Sequence, residues 1–506
     1  MIADVTAETS LDSRTDAEPQ AANRRALVAC ILLIVFGIGL RFWNLSRESL
    51  WYDEGYAAWM SGLPPLNMLR AATVDTAPPL HYLLLHGWRE IFGDGEASLR
   101  GFSALAAALT MLFVFAISRE ILRDRVAVIL ATALSAVSVL QIRYAQEARF
   151  YSMTALLAAL AFLFLLRFLK RPKRMTFYAL AITLAVGLYT QNIMFFYLAA
   201  IDVAWLVLPG DQPLRRRVRD IVWANVIVAG IYLPWLPIFL RQTSAIQGNF
   251  WLSPPKLWDG IVTTASVLGV TNNPPKWQIW VMIGLFVALF LMVVKRRETI
   301  ALVIVIVGPL VVTFLYSLVR QPIFMERVFV ASSAFVPILI AIPVARCSKR
   351  WIAISFAIAI LALSGWSSFC FMQADLKEQW REAAKDILDH QRADRLLVFV
   401  GNEGEILYDY YVDLLAPRPR MIEAKIGLPQ GFYDLDPPRT MRRVLVNGDI
   451  RLLADAVASG KYQHITYVRA HTTWADPEDL TLKYLQTSKR FVEKKEYRGI
   501  DVIEFD

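Results

Sequence analysis

Apolar residues gather in long runs through most of the chain, separated by short polar segments, and only the last part shows the mixed texture of a water-soluble fold. A bilayer core about 30 Å thick is crossed by roughly 20 apolar residues as a helix, or by somewhat fewer where a short helix is buried in a bundle. About eleven segments meet that requirement, near 26–44, 99–118, 126–142, 150–168, 176–190, 193–208, 221–240, 277–294, 299–318, 328–345 and 351–372. The pair 176–190 and 193–208 is short and parted only by Gln191 and Asn192. No small-residue cleavage site follows the first run, so it reads as an uncleaved span rather than a signal peptide.

From Asp375 the pattern changes. Trp380–His390 reads as an amphipathic helix and Leu396–Val400 as a strand, and the two types then alternate. Helices are expected at Glu405–Leu415, Ile450–Ala458 and Pro477–Lys489, strands at Arg443–Val446 and His464–Arg469, and one or two strands over 491–505. The expected fold class is an α-helical polytopic membrane protein with about eleven transmembrane helices and a C-terminal soluble α/β domain. Its divisions are a polar tail over 1–25, a transmembrane part over 26–372 and the α/β part over 373–506. The last carries no G-x-G-x-x-G or P-loop to cradle phosphates, and no catalytic role is expected of it.

Composition agrees. With 56% hydrophobic and 19% charged residues the chain is too apolar for an ordinary soluble protein. The net charge of +9 would suggest a nucleic-acid surface in a soluble domain. Here the cations cluster between apolar runs: Arg24–Arg25, Arg119 to Arg125, Lys170–Arg174, Arg215–Arg219, Lys295–Arg297 and Arg346–Arg350. They fall in alternate loops, as the positive-inside rule requires, so no nucleic-acid partner is expected. The N-terminus is then cytoplasmic, while the loops 45–98, 143–149, 241–276 and 320–327 and everything after Phe371 are extracytoplasmic. Cys30, Cys347 and Cys370 lie far apart, with neither disulfide nor zinc spacing.

Candidate chemistry sits in the outer loops. Leu50-Trp51-Tyr52-Asp53-Glu54-Gly55-Tyr56 sets two adjacent carboxylates just beyond the first span; solvated loop charges beside interfacial aromatics are the plain alternative. In Asp75-Thr76-Ala77-Pro78-Pro79-Leu80-His81-Tyr82, two prolines introduce a helix that carries His81 and His86, either packed or ligating. The polar knot Gln141-Ile142-Arg143-Tyr144-Ala145-Gln146-Glu147-Ala148-Arg149-Phe150-Tyr151 and the later Met325-Glu326-Arg327 repeat one Glu/Arg chemistry. They read either as ion-pair networks or as a cradle for an anionic headgroup, because guanidinium matches phosphate at two points. Trp251, Trp258 and Trp277 are interfacial anchors or surfaces on which sugar rings stack.

In order and spacing these motifs resemble the C-type (GT-C) glycosyltransferases, in the branch of the protein O-mannosyltransferases and the lipid A aminoarabinose transferase. The resemblance runs from residue 26 to about 390, through W-Y-D-E-G-Y, A-P-P-L-H-Y-L-L-L-H-G-W, R-Y-A-Q-E-A-R-F-Y, Leu188-Tyr189-Thr190-Gln191-Asn192 and Met325-Glu326-Arg327. It implies transfer of a sugar from a polyprenyl-phosphate donor to an acceptor hydroxyl of a glycan, lipid or protein, at the outer face of a bacterial inner membrane. Asp53 matches the family's catalytic first-loop aspartate. Relatives often carry His where Gln191 stands, so this position departs from the pattern.

A phosphate leaving group departs without a protein acid if cations neutralise it. The expected machinery is therefore a base, Asp53 or secondarily Glu54, with Arg143, Arg149 and Arg327 holding the donor phosphate. His81, His86, Tyr144, Glu147, Tyr189 and Glu326 are further candidates for substrate contact. A divalent cation could bridge carboxylate and phosphate, but no ligand set specific to one is visible. A transporter or flippase of a lipid-linked or polar substrate is the alternative from another class, since many spans with charged residues at their ends also describe a substrate pathway.

Overall fold

The computed structural model describes residues 5–246, 252–270, 274–415, 423–429 and 444–506. Its membrane part is helical from the start: α1 (Val5–Phe42) is followed by three short helices, α2 (Tyr52–Gly62), α3 (Pro65–Ala72) and α4 (Leu80–Phe92). Then come α5 (Glu96–Ile121), α6 (Arg125–Ala136), α7 (Val139–Ala145), α8 (Tyr151–Lys170), α9 (Arg174–Thr190) and α10 (Met194–Val207). Next are α11 (Leu214–Tyr232), α12 (Leu236–Ile246), α13 (Leu257–Leu268), α14 (Lys276–Leu291) and α15 (Arg297–Val319). A 3-10 turn (Glu326–Phe329) leads into α16 (Val330–Arg346), and α17 (Arg350–Gln373) ends this part.

Each apolar run read from the sequence lies on a helix. Among the described residues, six helices are long and apolar enough to cross a membrane, or up to eight if each of two bent pairs counts as one span. The bends are of 45° between α6 and α7 and 79° between α11 and α12. Large apolar side chains stand exposed along the outside, among them Leu32, Val35 and Phe36 of α1, Val311 and Leu315 of α15, and Trp351 and Trp366 of α17. In water such rows would drive aggregation; in a bilayer they meet their own solvent. The chain is a multi-pass membrane protein.

Polar groups inside the bundle are spent on backbone breaks, where carbonyls would otherwise be orphaned. Arg41, almost wholly buried, donates to Ser135 O (2.9 Å) and Ala136 O (3.3 Å) where α6 stops. Gln141 of α7 donates to Val330 O (2.7 Å) and to Ser333 Oγ (2.9 Å) at the head of α16. That head is built of small residues, Ala331 to Ala334, so neighbouring helices approach closely.

The C-terminal part adds α18 (Trp380–Asp389), β1 (Arg395–Val400), α19 (Glu403–Leu415), β2 (Ala424–Leu428), α20 (Asn447–Ala458) and β3 (His464–Ala470). It ends with α21 (Thr472–Ala475), α22 (Leu480–Ser488), β4 (Phe491–Tyr497) and β5 (Ile500–Phe505). Strand order is β2-β1-β3-β5-β4, with β1 parallel to β2 and β3, and β5 antiparallel to β3 and β4. Strand alternation splits the core. Leu396, Val398 and Val400 face a cluster with Ile465, Tyr467 and Leu485, whereas Leu397 and Phe399 join Trp380, Leu407 and Tyr411 in the core that continues into the membrane helices.

Two readings of this part are corrected. Val444–Val446 form no strand: Leu445 N–H is taken by Ala475 O (2.8 Å), and Val446 N–H by the Asp449 carboxylate (2.9 Å) that opens α20. Arg443, like Trp251, lies outside the described residues. The edge strand beside β1 is instead Ala424–Leu428, whose Ala-Lys-Ile-Gly-Leu carries little β-branched or alternating signal. Helix α22 is also shorter than expected, the Asp476 carboxylate accepting from Leu480 N–H and Thr481 N–H at its start.

Candidate active site

The acidic pair of the first outer loop opens α2, with Trp51 as its N-cap residue. Consecutive helical positions diverge by about 100°, so the two carboxylates cannot share a surface. Glu54 turns inward. It is fully buried and receives Arg100 Nε (2.8 Å) and Nη2 (2.7 Å), Lys377 Nζ (3.0 Å) and Ala148 N–H (2.9 Å). Burial by itself raises this carboxyl, but Arg100 and Lys377 outweigh it and hold it down at about 2. Arg100 gives its remaining donors to the carbonyls of Leu45, Glu48 and Ser49. One buried pair thus joins the loop 45–51, the polar knot and the segment after α17.

Asp53 turns the other way, into a cavity of about 550 Å³. Arg327 Nη1 donates to its Oδ2 (2.5 Å), and Arg149 Nη1 reaches its backbone carbonyl (3.2 Å). Arg149 also approaches Tyr82 Oη (3.4 Å), lies over the Phe150 ring and has a buried Nε without a hydrogen-bond partner among the described residues. Arg327 lies 5.9 Å over Trp51 and 6.0 Å over Tyr151. The cavity is continued by Gln191 and Asn192, which stand where α9 stops before α10, and by the apolar side chains of Ile193, Phe195, Phe196, Phe239 and Ile323. Gln191 accepts from Thr154 Oγ1 (3.0 Å), and Asn192 donates to Thr76 O (3.0 Å).

Other expected residues gather elsewhere. Arg143 pairs with Glu326 (2.7 Å) and lies 3.9 Å from Glu147, while Tyr144 Oη donates to Glu326 (3.4 Å). Arg143 and Glu147 line a smaller cavity of about 170 Å³ with Lys377, and burial pushes the Glu147 carboxyl up. His81 is fully buried among the rings of Tyr82, Phe102 and Phe150; burial, then the neighbouring Arg149, push it down to about 3, so it stays neutral. His86 Nδ1–H donates to Ser61 O (2.8 Å) and ties α4 to α2. Tyr189 Oη donates to Ile231 O (2.9 Å). His81, His86, Tyr189, Trp258 and Trp277 do not line the large cavity. Among the described residues no group of three or more His, Cys, Asp and Glu could hold a metal ion.

The sequence reading missed Arg100, Lys377, His471 and Trp474. Arg100 opens an apolar helix as any flanking cation would, and nothing local marks Lys377. His471 and Trp474 line the large cavity from the C-terminal part, beside Tyr52. Helix α19 rests on α2, where Gly55 leaves room that an added Cβ would take from the Leu407 side chain. Glu96 clamps the same contact, accepting from Tyr411 Oη (2.5 Å) and Arg381 Nη2 (2.5 Å).

Comparison with known proteins agrees with this architecture. Residues 76–238 match the family model described as dolichyl-phosphate-mannose-protein mannosyltransferase. The search of curated proteins gave no match. The structure is similar to ArnT from Cupriavidus metallidurans in the apo state, with TM-score 0.64 and 14% identity over 94% of this chain and 97% of that one. The same protein bound to undecaprenyl phosphate gives 0.61 at 14% identity, again over 94% and 97%. The oligosaccharyltransferase of Archaeoglobus fulgidus in the apo form gives 0.50 at 12% identity, over 87% of this chain and 69% of that one. The chain is a polytopic membrane protein with a GT-C-like fold, which it shares with ArnT, and it is similar to the mannosyltransferase family model over residues 76–238.

Proposed function

We propose that the protein transfers a sugar from a polyprenyl-phosphate donor to an acceptor hydroxyl at the outer face of the inner membrane. The observation that carries this reading is the convergence of one carboxylate, Asp53, and two guanidinium groups, Arg149 and Arg327, in a cavity otherwise lined largely by apolar side chains. The apolar lining suits a prenyl chain and the arginines suit its phosphate. ArnT, which shares the fold, has been solved with undecaprenyl phosphate bound.

Asp53 is the base. It takes the proton of the acceptor hydroxyl as that oxygen bonds to the anomeric carbon, while the bond from that carbon to the phosphate oxygen breaks and polyprenyl phosphate leaves. Arg327 moves from Asp53 toward the phosphate as negative charge grows there, and Arg149 supplies the second contact. A single base attacking in line with the leaving group gives inversion. Arg143, Tyr144, Glu147 and Glu326 support this cradle from behind, and Glu54 positions it rather than acting as a base. The eleven apolar segments all cross the membrane, which leaves the N-terminus in the cytoplasm and the C-terminal α/β part in the periplasm, as the alternating basic loops require.

The test is incubation of purified protein with a panel of polyprenyl-phosphate sugars. Release of polyprenyl phosphate together with a glycosylated product is the expected result. Movement of the intact donor across a vesicle membrane without any chemical product would replace this reading with a flippase.

A further inference from the structure

Membrane helices alone do not close the cavity around Asp53. Part of its wall comes from the turn after β3, where His471 is the N-cap residue of α21 and Trp474 stands within that helix. Tyr52, the residue next to Asp53, meets His471 edge-on at 5.0 Å between ring centroids and Trp474 at 6.0 Å. Trp474 is half-buried and packs from behind against the sheet core. His471 has left-handed backbone (φ 53°), a conformation residues with a side chain seldom adopt unless their surroundings hold them there.

Glu378, between α17 and α18, supplies that hold. One carboxylate oxygen meets His471 Nε2 (2.6 Å), the other accepts from Trp380 Nε1 (2.6 Å), and its backbone carbonyl accepts from Ser49 Oγ (2.5 Å). Burial disfavours the charged ring, but the Glu378 carboxylate, with Glu403 and Asp53 further off, raises His471 above its ordinary value. With Nε2 engaged by Glu378, Nδ1 is the ring nitrogen left to meet a ligand.

We propose that Tyr52, His471 and Trp474 form the acceptor subsite beside Asp53, and that this subsite takes a sugar ring. The inference rests on Asp53 being the base of the transfer reaction. Rigid aromatic rings offer flat apolar area at little entropy cost, which suits the C–H face of a pyranose or furanose, and the imidazole beside them suits a ring hydroxyl. A sugar seated there presents a neighbouring hydroxyl to Asp53. That oxygen bonds to the anomeric carbon of the donor, its proton passes to Asp53, and polyprenyl phosphate departs with the electrons of the broken bond. The acceptor is therefore a sugar hydroxyl, of a soluble glycan or of a glycolipid headgroup, and not the side chain of a peptide.

The experiment uses the full chain in detergent, with methyl glycosides, a glycolipid and a Ser/Thr-rich peptide as acceptor probes. Glycoside binding is read by saturation-transfer NMR without donor, and transfer is read with a polyprenyl-phosphate sugar. Wild type is expected to bind at least one methyl glycoside, and Trp474→Ala and His471→Gln are each expected to raise the acceptor KM about tenfold or more. Trp474→Phe should recover most of the loss, and all variants are to be compared at matched size-exclusion profiles. Transfer to glycolipid but not to methyl glycoside, with the same KM effects, identifies the headgroup as the source of the sugar. Transfer to the peptide, or transfer to a sugar with KM unmoved in both variants, overturns the proposal. Glycoside binding that Trp474→Ala abolishes, in a protein that turns over no donor, leaves the sugar subsite standing and refutes the transfer reaction instead.

Discussion

Glu54→Gln is the perturbation that most sharply separates a chemical from a structural reading of the acidic pair. The substitution keeps size but removes the charge that compensates Arg100 and Lys377, both largely buried. It also turns an amide NH₂ toward a site where five protein donors converge. Removing one member of a buried pair costs about 3–5 kcal/mol, because the partner charge stays behind. Lys377 softens the loss only in part: burial already lowers its pKa, but the Arg100 guanidinium keeps its charge. The cost should depend on pH. Folding lowers the Glu54 carboxyl from 4.5 to about 2, so its contribution is complete above pH 4.5 and disappears as pH falls through about 2. Denaturation midpoints of the detergent-solubilised protein at pH 7 and pH 3 measure this, with the gap between wild type and variant narrowing at the lower pH. In a double-mutant cycle, Glu54→Gln with Arg100→Met should be less destabilised than the two single changes summed. A Glu54→Gln protein as stable as wild type at pH 7 that no longer turns over donor would refute the argument and make Glu54 a chemical participant.

Asp53→Asn keeps the size of the side chain but removes the base, so transfer per folded molecule should fall about 10²-fold or more while expression holds; near wild-type turnover would take Asp53 out of the mechanism. Arg149→Ala and Arg327→Ala should each weaken donor use by roughly 1.5–3 kcal/mol, whereas Arg143→Ala should act mainly through stability, a contrast read by comparing donor KM with denaturation midpoints. His81 is pushed down from 6.5 to about 3, so the fold loses stability as pH drops between those values. His81→Phe should therefore gain on wild type by about 2 kcal/mol at pH 5 relative to pH 7, and equal pH slopes for the two proteins would contradict a neutral buried imidazole. An alkaline phosphatase fusion after residue 506 should be active, and an inactive one beside an active cytoplasmic reporter would reject the odd number of spans.

Features that depend on neighbours along the chain were legible without the fold. Apolar runs marked the helices, because a bilayer or a bundle interior tolerates no other backbone there. The alternation after Asp375 marked most of the sheet and its helices, and the W-Y-D-E-G-Y loop marked the acidic pair. Local pattern could not separate Asp53 from Glu54: that distinction comes from the divergence of successive positions on α2 and from Arg100 waiting on another helix. Nor could it sort the arginines. Arg143 and Arg149 stand six positions apart in the same polar knot, yet the turn at Gln146–Phe150 sends one to Glu326 and the other to the carbonyl of Asp53. The Asp53–Arg327 pair spans 274 positions and the Glu378–His471 pair spans 93. Contacts of that range leave no period or spacing in a sequence, since they are set by how whole helices and the sheet dock. Only the tertiary structure could therefore bring the C-terminal part, to which the sequence assigned no catalytic role, to the wall of the cavity that holds Asp53.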